Sequence, residues 1–197
     1  TRGINSALFW LAQMITASVF GERLDTKAPL RRRAKFGLLA VFAALVISLV
    51  PAIWINFEIR CKGQTGWDKN APCEMDVVSD FPTALFPMFV FILLGTADAM
   101  FQTYAYWLMS SAAGSSVRHA VMYSAVYKSA QSFGAGVAWL LDLFEGFTYR
   151  EQGVVALLVC CVSCVPVMWT FSKLPEVVSL VHAQDLTFKT GLITLEP

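Results

Sequence analysis

An all-α integral membrane protein with five transmembrane helices is the fold class predicted for this 197-residue chain, on three observations. Hydrophobic residues make up 56% of it and charged residues 15%, where ordinary globular domains hold roughly 45–50% and 25%. The apolar residues gather in runs of about twenty, the length that crosses roughly 30 Å of hydrocarbon. The mean hydropathy of +0.58 reflects these runs. A net charge of +1 points to no nucleic-acid partner; the partner implied first is a lipid bilayer.

The first span is residues 4–21, INSALFWLAQMITASVFG, short and the least apolar because of Asn5, Gln13 and Thr16. The second, 36–57, is the clearest hydrophobic run. The third, 81–108, is long enough to tilt and carries Pro82 and Pro87 in its first turns. The fourth is 119–145. The fifth is 152–172, where Pro166 removes a backbone donor and is expected to bend the helix. Residues 1–173 thus form one helical bundle, and 174–197 a tail. The chain starts at Thr1 without a methionine or a cleavable leader pattern, so it is expected to be a piece of a longer protein.

Loop charge sets the orientation. The segment ERLDTKAPLRRRAK, residues 22–35, holds six basic residues, which places it in the cytoplasm. Alternation then puts 58–80 outside, 109–118 inside, 146–151 outside and the tail inside. The outer segment 58–80 contains Cys61 and Cys73, either a disulfide closing a polar loop or two unpaired thiols. Cys160, Cys161 and Cys164 fall within the fifth span. Cys161 and Cys164 match C-x-x-C, but without a second pair or a neighbouring histidine they read as small packing residues rather than a metal site.

Charged groups inside spans are costly and normally face a bundle interior or a water-filled cavity. Three occur here: Asp98, Lys128 and Asp142. Counted at about 1.5 Å per residue from span ends at Leu108 and His119, Asp98 and Lys128 both lie roughly 15 Å from the cytoplasmic ends of their helices. A short connection makes the two helices antiparallel neighbours. The two charges are therefore expected to face each other, directly or through water. At about 100° per residue, Ser124, Lys128, Gln131, Ser132, Trp139 and Asp142 share an arc of the fourth span, while Gly95, Asp98, Gln102 and Tyr106 form a stripe on the third. Matched polar faces point to a solvated cavity or a solute path, with hydrogen-bonded helix contact as the alternative. No phosphate-binding glycine loop, HExxH or GxSxG is present, so neither an enzyme nor a cofactor is expected.

Two stretches carry a family resemblance. FWLAQ…FGERLD followed by RRRAK resembles the cytoplasmic loop between the eighth and ninth helices of major facilitator transporters. There a glycine, an acid and a basic cluster form a gate motif. Gly21 and Asp25 match its G-x-x-x-D core; Thr26 stands where arginine is usual, and Arg31, Arg32 and Arg33 come later than usual. GTADAMFQTYAYWLM with YSAVYKSAQSFGAGVAWLLD resembles the uncoordinated-93-like branch of that superfamily, the ion channel regulatory protein family. The carrying pattern is Tyr127-Lys128-x-x-Gln131-Ser132-x-Gly134, then Trp139 and Asp142.

The resemblance covers most of residues 4–173 and implies helices eight to twelve of a major facilitator fold, without helix seven and the first half. It places Asp98, Gln102, Lys128, Gln131 and Asp142 beside a central cavity. It implies either a secondary transporter of an unknown small solute or ion, or a regulatory subunit or trafficking chaperone of another membrane protein such as a channel. Both plasma membrane and endomembrane fit.

Overall fold

The structure is a computed structural model and describes residues 2–58, 81–143 and 149–173. These form five helices and, among the described residues, no strand: α1 (Arg2–Leu24), α2 (Leu30–Glu58), α3 (Phe81–Ala113), α4 (Val117–Asp142) and α5 (Tyr149–Lys173). The helices are longer than most of the hydrophobic runs because hydrogen bonding continues past the point where apolar sequence stops. The basic segment expected as a loop contracts accordingly. α2 already starts at Leu30, so Arg31, Arg32, Arg33 and Lys35 are helical, and only residues 25–29 link α1 to α2. Pro29, which has no N–H to satisfy, accepts from the Arg32 and Arg33 amides at 2.9 and 3.1 Å as the first turn begins.

α3 and α4 form a tight hairpin. Gly114 takes the left-handed conformation (φ 57°) just beyond α3, where a side chain would be strained. Ser116 then caps α4, its hydroxyl accepting from the His119 amide at 3.4 Å. α3 is the central helix and packs on α1, α2 and α4, while α2 also packs on α5. The core lies where α1, α2 and α3 meet: Phe20, Leu24, Ala34, Leu38, Val41 and Tyr104, with Cys164 and Val167 of α5 packed against it. The Tyr104 hydroxyl donates to the Ala34 carbonyl at 2.8 Å, so even this aromatic is polar-satisfied.

Large apolar side chains face outward, among them Trp10, Met14, Ile15, Leu39, Phe89 and Val162. A hydrocarbon surrounding removes the cost of that exposure. Among the described residues, four helices are long and apolar enough to cross a membrane, within Gly3–Leu24, Leu30–Ile55, Ala84–Ala113 and Glu151–Met168. α4 is not among them, a departure from the five spans expected. Its 26 residues would reach about 39 Å, so length is not the reason. Arg118, His119, Lys128, Gln131, Asp142 and its serines lower its apolar content.

Candidate functional site

The site is built around Asp98 on α3, half-buried where α3 meets α1. The local cause is Gly95. A Cβ there would stand 2.5 Å from the Phe9 carbonyl oxygen, so the missing side chain lets the two backbones touch. The helices run parallel from that contact, with Phe9 beside Gly95, Gln13 beside Asp98 and Gly21 beside Thr103. One turn past Phe9, the Gln13 carboxamide donates to Asp98 Oδ2. One turn past Asp98 on its own helix, Gln102 donates to the same oxygen at 2.8 Å. Both bonds fall on Oδ2. Oδ1 has no partner among the described residues and is not sealed from the surface. Thr16 and Thr96 place a second polar contact between the same helices, hydroxyl to hydroxyl at 3.5 Å.

Lys128 lies across the α3–α4 seam. Its ammonium donates to Gln131 Oε1 at 2.8 Å and sits 5.6 and 5.7 Å from the ring centroids of Tyr106 and Tyr127. The two rings meet edge to face at 5.4 Å, and Tyr127 also contacts Phe101 at 6.5 Å. The Tyr127 hydroxyl is buried and unpartnered.

Asp98 and Lys128 do not form the direct ion pair considered above. Their partners among the described residues are Gln13 and Gln102 for the acid, Gln131 and two rings for the base. The reason is register. Because α3 continues to Ala113 and α4 starts at Val117, Asp98 lies about 22 Å and Lys128 about 16 Å from the hairpin ends of their helices. The offset is about one helical turn. At that offset the two side chains find other partners.

Of the other expected site residues, Gln131 is exposed beside Lys128, and Trp139 is exposed further along α4. Asp142 closes α4; its side chain lies outside those described. Cys61 and Cys73 lie outside the described residues. Cys160, Cys161 and Cys164 are free thiols on α5.

In the gate-like segment the expected residues divide. Arg33 donates to the Leu24 carbonyl at 2.8 Å, capping the end of α1, and its guanidinium lies 5.4 Å from the centre of the Trp107 ring. Arg31, Arg32 and Asp25 are exposed; the Asp25 amide closes the last turn on Gly21 at 3.1 Å. A Cβ at Gly21 would make only an ordinary contact at 3.8 Å with Thr103, so close packing does not require glycine there. Arg33 therefore joins α1 to α3, and the exposed members of the motif have no described partner in this arrangement.

In the sequence, Gln13 stands out only as a residue that lowers the apolarity of the first span. The signal for more was present: Gln13 and Thr16 are one turn apart, on one face. Nothing in the sequence paired that face with Asp98.

No family model matches this chain, and no solved structure matches it. Among curated proteins, it is 30% identical over 186 residues to the UNC93-like protein C922.05c of Schizosaccharomyces pombe, covering 88% of this chain and 34% of that one. It is 32% identical over 142 residues to the UNC93-like proteins 1 and 2 of Arabidopsis thaliana, covering 72% of this chain and 30% of each. The chain spans about a third of the length of these relatives.

Proposed function

The chain belongs to the UNC93-like family, and from that premise we propose that this multi-pass membrane protein moves a small solute or ion across the bilayer. One observation carries the reading. Asp98 lies within a membrane-length helix, held by carboxamides from two helices and not by a counter-charge. A charge inside a membrane helix is expensive and marks ion or solute pathways when it occurs. Lys128, one turn away on the exposed side of α4, supplies the opposite sign.

We place α4 across the bilayer with this face toward the pathway, which accounts for its lower apolar content. We read the five helices as the part of a major facilitator fold that the sequence resembles. The test is uptake by proteoliposomes containing the purified protein, under imposed proton or cation gradients. Asp98→Asn and Lys128→Ala should each abolish a flux that the unaltered protein supports. Flux indifferent to both substitutions would remove these residues from the mechanism.

A second reading rests on a different observation. α4 packs mainly on α3 and is exposed along most of its length. A regulatory subunit or trafficking chaperone would use such a face to hold a helix of another membrane protein. Co-purification of a defined membrane protein, lost on Trp139→Ala and with no measurable flux, would favour this reading.

A further inference from the structure

Along the α3–α4 seam, Asp98, Tyr127 and Lys128 each keep polar capacity that the described residues do not use. The Asp98 carboxylate has Oδ2 held by Gln13 and Gln102 and Oδ1 without a partner among the described residues. The Lys128 ammonium has, among the described residues, one of its three N–H groups engaged, on Gln131. Next to Lys128 on α4, the Tyr127 hydroxyl is buried and has no hydrogen-bond partner among the described residues. The aromatic rings of Phe101 and Tyr106 flank Tyr127. Along the hairpin the two residues are offset by about one turn of helix, roughly 6 Å, and among the described residues neither is the other's hydrogen-bond partner.

We propose that these groups together bind a small zwitterion of the α-amino acid class. Its ammonium docks on Asp98 Oδ1, its carboxylate takes the free N–H groups of Lys128, and the Tyr127 hydroxyl adds a hydrogen bond to the ligand. Each chain group that lacks a partner then gains one, and the ligand adds no net charge to the apolar surroundings, which a lone cation or anion would do. The Gln13 and Gln102 amides act as positioning residues: they fix Oδ2 and thereby aim Oδ1. This inference rests on the transport reading but is tested apart from it.

The test uses the purified full chain in lipid nanodiscs, with binding followed by thermal shift and intrinsic tryptophan fluorescence. The probes are free alanine and leucine, their N-acetyl derivatives, which lack the ammonium, and their methyl esters, which lack the carboxylate. At least one free amino acid should bind, and about tenfold or more tighter than either blocked form, as expected when a charge-assisted hydrogen bond is lost. Asp98→Asn should erase the preference over the N-acetyl form, and Lys128→Gln the preference over the ester. Tyr127→Phe, which removes one oxygen and keeps the ring, should weaken binding several-fold in a protein that melts as the wild type does.

Absence of binding by every probe would overturn the proposal. So would a methyl ester that binds as well as the free amino acid, which would mark a simple cation site. Zwitterion binding without flux would sink the transport reading and leave this one. Flux of a cation without zwitterion binding would do the reverse.

Discussion

Replacing Gly95 by alanine perturbs the contact on which the Asp98 site depends. The added Cβ would stand 2.5 Å from the Phe9 carbonyl oxygen and 3.1 Å from its carbonyl carbon, both backbone atoms of α1. Ordinary contact begins at 3.4 Å, so α1 must retreat by about 0.9 Å, the difference between 3.4 and 2.5 Å. No flexible side chain is available to absorb the shift. Overpacking of this kind costs about 1–3 kcal/mol. The same displacement carries Gln13, one turn along α1, away from Asp98 and leaves Gln102 alone on Oδ2.

Two consequences should therefore appear together. Gly95→Ala should melt several degrees lower in detergent, and any flux or ligand binding that depends on Gln13 should fall as it does in Gln13→Leu. The reasoning is refuted if Gly95→Ala melts within experimental error of the wild type, because the backbones cannot then be in contact. It is also refuted if stability falls while the Gln13-dependent activity is unchanged.

Three further outcomes follow from the same geometry. Gln13→Leu and Gln102→Leu act on one oxygen of Asp98, so the double variant should differ from the sum of the single effects by about 0.5 kcal/mol or more in a double-mutant cycle of unfolding; strict additivity would separate the two amides. Tyr104→Phe removes the buried bond to the Ala34 carbonyl and should cost about 0.5–1.5 kcal/mol by equilibrium denaturation, with no loss of ring packing. Arg33→Lys keeps the charge but loses the planar group that both caps α1 and lies on Trp107, so it should destabilise nearly as much as Arg33→Ala, and a full rescue by lysine would show that charge alone matters there.

Some of the site was legible before any coordinates. Asp98 and Lys128 stand out because charge inside an apolar run has few reasons to exist, and Gln102 follows from Asp98 at one helical turn. Their relative depth was misjudged. The expected span ends are Leu108 and His119, whereas the helical hydrogen bonds run on to Ala113 and resume at Val117. Those extra residues add unequally to the two helices and shift the pair by about a turn. Gln13 could not be assigned to Asp98, since 85 residues separate them in the chain and only the Gly95–Phe9 contact brings them together. Arg33 could not be told from Arg31 and Arg32 either. Three consecutive arginines on a helix point in three directions, and only the packing of α1 on α3 selects which one meets Leu24 and Trp107.

By itself, then, the sequence determined the number of helices, their approximate limits and which of them carry polar faces. These are local properties of apolar length and helical period. The tertiary structure decided which polar groups meet, because the crossing of α1 over α3 depends on where a side chain is missing. It also decided that the lysine and the aspartate stand a turn apart, because that offset depends on where two helices end and not on where either charge lies in the chain.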